Sequence, residues 1–221
     1  RIHPRALRTE RGRERRQLHT RALGQHLRLH AQREGAVHLA CGPRDARIGI
    51  NPRRTGILQA LRLMGGRIEV FNEREQGGEP VADLHIVHSA LKAIELPESL
   101  VPDMIDECPI FFVAAALAEG TTHARGLGEL RIKESDRIAS MVAGLRAMGV
   151  AVEETPESVT ITGGALHGAS IDSHDDHRIA MSFAVAAQCA SGQTLIHDCE
   201  NVATSFPGFV DLARSAGMIL E

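Results

Sequence analysis

Three stretches of this sequence follow one pattern, and an internal repeat restricts a fold more than any local propensity does. Each runs from a polar loop through an amphipathic helix to a glycine, then into a strand. The first passes through Asn51-Pro-Arg-Arg-Thr-Gly56 into Leu61-Arg-Leu-Met-Gly65, followed by Arg67-Ile-Glu-Val-Phe71. The second runs from Arg131 into Leu145-Arg-Ala-Met-Gly149 and on to Ala151-Val-Glu153. The third passes through Ala203-Thr-Ser-Phe-Pro-Gly208 into Leu212-Ala-Arg-Ser-Ala-Gly217 and Met218-Ile-Leu-Glu221, with Leu212 aligned on Leu61 and Leu145. In each, the glycine stands where a helix C-terminus needs a left-handed residue.

A second helix type recurs between these stretches. One copy starts at Asp106 and stops at Gly120, and another starts at Asp176 and stops at Gly192. Both open on an acid, run through small apolar residues and end before a strand; a helix apolar on every side has to be buried. A third copy would precede the first unit, within residues 10–46, and that stretch lacks it. The expected fold class is therefore α+β, or mixed α/β. Repeated βαβαββ units would form an inside-out α-β barrel or prism, with helices buried, sheets outside and one unit incomplete.

Charge divides the chain in two. Residues 1–47 carry twelve Arg, no Lys, five His and four acids, whereas the remainder carries thirteen bases and twenty-four acids. The first segment has no clean helical or strand period. It reads either as a solvated, disordered basic arm able to bind nucleic acid, or as what an out-of-frame stretch of a GC-rich gene would encode. The expected domains are thus this segment and a folded unit over residues 48–221. Trp and Tyr are absent, which argues against a base-stacking surface. The longest apolar run, Pro109–Ala118, is half of a bilayer span, and no export signal is visible. Cys41, Cys108, Cys189 and Cys199 show no paired spacing. A cytoplasmic protein with neither disulfides, zinc nor a membrane partner is expected.

The chemistry-bearing residues fall at expected helix starts. In Arg131-Ile-Lys-Glu-Ser-Asp-Arg137, Lys133 and Arg137 stand four apart on one helix face with Glu134, a potential proton carrier, between them. Helix-start N–H groups would add partial positive charge toward a bound anion; a plain solvated helix start with i,i+4 pairs is the alternative. Ser173-His-Asp-Asp-His-Arg178 opens one buried helix, and Pro102-Asp-Met-Ile-Asp106-Glu107 opens another. Asp106 and Asp176 are expected N-caps, a role that need not exclude catalysis. A metal could be shared by His174, Asp175, Asp176 and His177, but their spacing matches no zinc pattern. With no Walker loop, Rossmann fingerprint or nucleophile elbow, acid–base work on anions remains.

Five motifs occurring in order, from about Arg47 to Glu221, give the chain a resemblance to the C-terminal domain of the EPSP synthase (3-phosphoshikimate 1-carboxyvinyltransferase) family. They are N-P-x-R-T-G from Asn51 to Gly56, I-D-E-x-P around Asp106 and Pro109, L-R-I-K-E-S-D-R from Leu130 to Arg137, D-H-R-I-A-M from Asp176 to Met181, and A-T-S-F-P-G-F from Ala203 to Phe209. The resemblance implies carboxyvinyl transfer from phosphoenolpyruvate to the 5-hydroxyl of shikimate 3-phosphate, with phosphate released and neither metal nor cofactor needed. It further implies that Asp106 holds and deprotonates the 5-hydroxyl and that Glu134 exchanges a proton with the phosphoenolpyruvate methylene. Lys133 would lie near shikimate 3-phosphate and the reacting centre. Arg137 and Arg178 would clamp phosphoenolpyruvate, with Asp176 and His177 in support. Glu129 occupies a position where some members place Asn in contact with shikimate 3-phosphate. Thr204 stands where many members place a lysine for phosphoenolpyruvate and another branch uses Thr.

Members of the family have about twice this length and place the site in a cleft between two similar domains. The N-terminal domain, and the G-D-x-S-S-A-A type segment expected ahead of Asn51, are missing from this sequence, so half a site and no useful turnover are expected of the chain alone. Two rivals remain at this point. One is a UDP-N-acetylglucosamine enolpyruvyl transferase of the same fold; the other is a catalytically dead truncated domain whose basic arm binds nucleic acid.

Overall fold

The computed structural model describes residues 18–21 and 48–221. Apart from one short strand, β1 (Leu18–Arg21), the expectations for residues 1–47, including the missing third buried helix, lie outside the described residues.

Among the described residues, three buried helices form the interior. They are α2 (Cys108–Leu117), α3 (Arg137–Ala147) and α4 (His177–Cys189), and each packs on the other two. Helix α2 contributes Phe111, Phe112 and Val113, α3 contributes Ile138, Met141 and Leu145, and α4 contributes Ile179, Phe183 and a run of alanines. Small residues let the axes approach closely. Gly144 of α3 lies against the Phe183 ring of α4, where an added Cβ would sit 2.2 Å from Cζ. The shorter α1 (Gly56–Leu63) covers α2 from one side.

Three separate three-stranded sheets surround these helices among the described residues. The first joins β2 (Ile48–Gly49), β4 (Glu79–Val87) and β3 (Arg67–Gln76), all antiparallel. The second joins β5 (Thr121–Arg125), β7 (Ser158–Thr162) and β6 (Ala151–Glu154), also antiparallel. In the third, β9 (Gln193–His197) pairs antiparallel with β1 and parallel with β8 (Ser170–Asp172). Alternation fixes which face turns inward: Thr122, Ala124, Val152, Val159 and Ile161 are buried while their neighbours face solvent. The sheets do not join into one closed barrel, so the arrangement is prism-like, with helices inside as the repeat implied.

The repeat is visible down to single hydrogen bonds. Gly65, Gly149 and Gly217 all have φ near +90° (91°, 89° and 90°) and close helices α1, α3 and α6 (Phe209–Ser215). Their N–H groups donate to the carbonyls of Arg62, Arg146 and Arg214. The following N–H groups donate to Leu61, Leu145 and Ala213, which completes a Schellman cap in each unit. This register pairs Ala213, not Leu212 as the sequence suggested, with Leu61 and Leu145. Each arginine then reaches forward with Nε and Nη2 to one carbonyl six residues on: Ile68, Val152 and Leu220 respectively. Three guanidinium latches thus tie helix ends to the chain that leaves them.

Candidate active site

The segment from Gly128 to Arg137 is not one helix. A 3-10 turn covers Gly128–Ile132, Lys133 is extended (φ −78°, ψ −161°), and α3 begins only at Arg137 with Asp136 as its N-cap, accepting from the Ala139 N–H at 2.9 Å. Lys133 and Arg137 therefore do not share a helix face. By capping the Ala139 N–H, Asp136 sets the helix start at Arg137 and leaves residues 133–135 outside it.

Arg131, first of the cations in that cluster, directs its donors to the protein itself. Its Nη1 bonds both carboxylate oxygens of Asp136 (3.2 and 3.0 Å), its Nη2 bonds Glu154 (2.8 Å) and the Thr155 carbonyl (2.7 Å), and its Nε bonds the Pro156 carbonyl (3.3 Å). Burial alone would weaken its hold on its proton. The hydrogen bonds and charges of Asp136 and Glu154 outweigh that effect and leave the guanidinium more firmly protonated than usual. Arg131 is a latch between the loop and the β6–β7 hairpin.

Arg137 is the centre of the site and is fully buried, at 0% exposure. Three carboxylates meet it. Nε donates to Asp176 Oδ2 at 2.8 Å, Nη1 to Asp106 Oδ1 at 3.1 Å, and Nη2 to Glu134 Oε2 at 2.6 Å. Asp106 is bracketed from the other side by Arg178, whose guanidinium lies 3.4 Å from Asp106 Oδ2 and donates to the Asp106 carbonyl at 3.0 Å. Arg178 also approaches Glu107 at 3.6 Å. Burial pushes the Glu107 carboxyl above the usual range, and Arg178 opposes that shift.

Of the two expected caps, the structure supplies one. Asp176 caps α4, its Oδ1 accepting from the Arg178 N–H at 2.9 Å. Asp106 caps nothing: it lies in a 3-10 turn (Ile105–Glu107), and its carboxylate turns to the two arginines instead. Asp176 Oδ2 also accepts from the Ser135 hydroxyl at 3.0 Å, so this one side chain joins the start of α4 to the loop before α3. Burial would raise its pKa, but the hydrogen bond and charge of Arg137, helped by the Arg178 N–H and Ser135, hold the carboxyl below the ordinary value.

The other expected site residues lie around this core. Lys133 pairs with Glu129, which occupies the cation itself. His177 is the half-buried first residue of α4. Thr204 is exposed on α5 (Glu200–Ser205), which packs on α4; among the described residues no hydrogen bond or ion pair joins it to the cluster. Ile132 is 82% exposed between Arg131 and Lys133.

Sequence reasoning missed the scaffold of the Asp176 loop. Ser173 is fully buried, with its Oγ 2.8 and 2.7 Å from the carbonyls of His197 and Asp198. Asn201 donates to the Asp175 carbonyl. His174, Asp175 and Asp198 are all left-handed, with φ of 51°, 58° and 56°, conformations that cost energy unless neighbours enforce them. The clue lay in residue type, since Asp and Asn tolerate this region and Ser bonds nearby backbone.

Among the described residues no three His, Cys, Asp or Glu side chains converge as metal ligands, and no helix is long and apolar enough to cross a membrane. Cys108, Cys189 and Cys199 are free thiols.

Comparison with known proteins identifies relatives of this chain. A family model described as EPSP synthase (3-phosphoshikimate 1-carboxyvinyltransferase) matches residues 46–212. The 3-phosphoshikimate 1-carboxyvinyltransferase of Xanthomonas euvesicatoria pv. vesicatoria is 58% identical over 174 residues, covering 79% of this chain and 40% of the relative. That of Xanthomonas oryzae pv. oryzae is 57% identical over the same length. A solved structure of EPSP synthase from Acinetobacter baumannii superimposes with a TM-score of 0.77 at 49% identity, covering 78% of this chain and 41% of that one. The enolpyruvyl transferase NikO from Streptomyces tendae, at 19% identity and a TM-score of 0.54, shares the fold. The chain spans about 40% of the length of the curated relatives it matches.

Proposed function

Because the chain belongs to the EPSP synthase family, we propose that it supplies one wall of a site transferring the carboxyvinyl group of phosphoenolpyruvate to the 5-hydroxyl of shikimate 3-phosphate. One observation carries the reading. Two solvent-reaching carboxylates, Asp106 and Glu134, are held on the same guanidinium at 3.1 and 2.6 Å, with a second guanidinium, Arg178, beside Asp106. That is an acid–base pair set among cations suited to phosphate and carboxylate.

Asp106 takes the proton of the 5-hydroxyl as its oxygen bonds to C2 of phosphoenolpyruvate, while Glu134 delivers a proton to C3. The product of this addition is a tetrahedral intermediate. Its breakdown returns a proton from the new methyl group, restores the double bond and expels phosphate. Arg137 and Arg178 hold the anionic groups of phosphoenolpyruvate, and Lys133 neutralises charge near shikimate 3-phosphate. Asp176 and His177 support Arg178 at the start of α4, and Glu129 and Thr204 line the periphery. The polar, phosphorylated substrates suit an aqueous compartment, and the cytoplasm is the setting we propose.

Phosphate release from both substrates tests the proposal. The chain alone is expected at background, because positioning two substrates between opposed walls supplies up to ~7–11 kcal/mol of barrier lowering. Turnover is expected when it is combined with the unmatched portion of the Xanthomonas relative, and Asp106→Asn should abolish most of it. Robust turnover by the chain alone would contradict the incomplete-site reading. Absence of turnover in a combination that binds neither substrate would contradict the function.

A further inference from the structure

We propose that Glu134 occupies Arg137 as an internal substitute for an anionic ligand, so that anion binding displaces Glu134 and thereby frees its carboxylate. This rests on the reading of Arg137 as an anion-binding residue. The guanidinium is 0% exposed, and a carboxylate sits on each of its three nitrogens: Asp176 on Nε, Asp106 on Nη1 and Glu134 on Nη2. Two of its five N–H groups are not used by these bonds, but the residue is wholly buried and its solvent side is covered by Asp106 and Glu134. An oxyanion from solvent therefore reaches it by displacing one of the carboxylates that cover it.

The three are not equally replaceable. Asp176 has a side chain at 0% exposure and is bonded in addition by Ser135 Oγ and the Arg178 N–H, so it stays. Asp106 is 44% exposed but has a second guanidinium, Arg178, to hold it. Glu134 is 55% exposed, and among the described residues its ion pair is with Arg137 alone. It also sits in the non-helical segment between the 3-10 turn and α3, where a side chain can swing without breaking a helix. Displacement of Glu134 opens Nη2 to the incoming anion and releases the carboxylate into the same space, beside that anion. Binding and the freeing of a proton carrier become one event, which keeps Glu134 sequestered while the site is empty.

Sulfate is a suitable probe because its charge is constant across neutral pH. Sulfate titrations of the 221-residue chain, followed by backbone and arginine side-chain NMR shifts, are expected to show binding about fivefold tighter in Glu134→Gln than in the unaltered protein. That factor corresponds to roughly 1 kcal/mol for releasing an ion pair whose carboxylate end is open to solvent. Glu134→Ala should tighten binding in the same direction. Glu129→Gln removes an equal charge from Lys133 rather than from Arg137, and its effect should stay below about twofold, the size of a screened neighbour. Equal affinity of the unaltered and Glu134 variants, or an equal gain in Glu129→Gln, overturns the exchange while leaving the anion site intact. No sulfate-dependent shift at Arg137 in any variant overturns both the exchange and the reading beneath it.

Discussion

Arg137 Nε and Asp176 Oδ2 meet at 2.8 Å between two side chains with 1% and 0% exposure, although 39 residues separate them in sequence. The pair spans the starts of α3 and α4 and makes the loops of two repeat units into one site. A buried guanidinium deprived of its buried partner is costly. Asp176→Asn should destabilise the protein by about 3 kcal/mol at pH 7, read from urea denaturation. The folded-state carboxyl is depressed, so its contribution is present above the unfolded value of 3.8 and disappears as pH falls through the lower folded value. The gap between the two proteins should therefore shrink in strongly acidic solution. A gap independent of pH would show that the charge of Asp176 contributes nothing.

Arg131→Lys keeps the charge but not the planar fork that serves Asp136, Glu154 and two carbonyls. A loss of about 2 kcal/mol is expected, with faster amide hydrogen exchange over Lys133–Ser135. Unchanged exchange there would show that the latch does not hold the loop.

The Cys108 thiol is buried, and burial, reinforced by Glu107 and Asp106, pushes it up to about 12 from 9.0. The folded state keeps a proton that the unfolded chain gives up. Stability tied to this thiol is complete below pH 9.0 and is lost as pH rises toward about 12. Cys108→Ala should flatten the alkaline fall in denaturation midpoint. A disulfide reagent at pH 8 should reach Cys108 only at the rate of unfolding, while surface-exposed Cys189, although partial burial raises its pKa, reacts from the native state; equal native rates would contradict the burial argument.

Arg214 repeats in the third unit what Arg62 and Arg146 do in the others, donating twice to the Leu220 carbonyl. Arg214→Ala should cost about 1 kcal/mol, a fall of roughly 2–4 °C in Tm for a protein of this size. No shift in a calorimetric scan would show that the latch is ornamental in that unit.

The parts legible in sequence were those set by local chemistry. Gly65, Gly149 and Gly217 announced their helix ends because only a left-handed residue closes such a cap, and the apolar runs of α2 and α4 announced their burial. The motifs singled out Asp106, Glu134 and Arg178, but their gathering around one guanidinium was visible only in the fold. What a charged residue faces is a tertiary fact, and the pattern was silent on it. Arg131 and Arg137 look alike in the string, yet one is a latch to a hairpin and the other a buried hub. Asp106 and Asp176 look like two caps, yet only Asp176 caps. The latching arginines were written in all three units but went unread, because their acceptors are carbonyls, which carry no mark in a sequence.

Gly144 gives the site a dependence that no residue touching it reveals. It sits seven positions along α3 from Arg137, about 10 Å down the axis, where a single Cβ would strike the Phe183 ring of the neighbouring helix. Helices α3 and α4 lie as close as they do because a methyl group is missing there. Their charged ends are spaced from behind, as the tips of a pair of tongs are spaced by the pivot. A bulkier residue at the pivot would part the tips, and the injury would surface first as altered charge contacts between Arg137 and Asp176, well away from the packing fault that caused it.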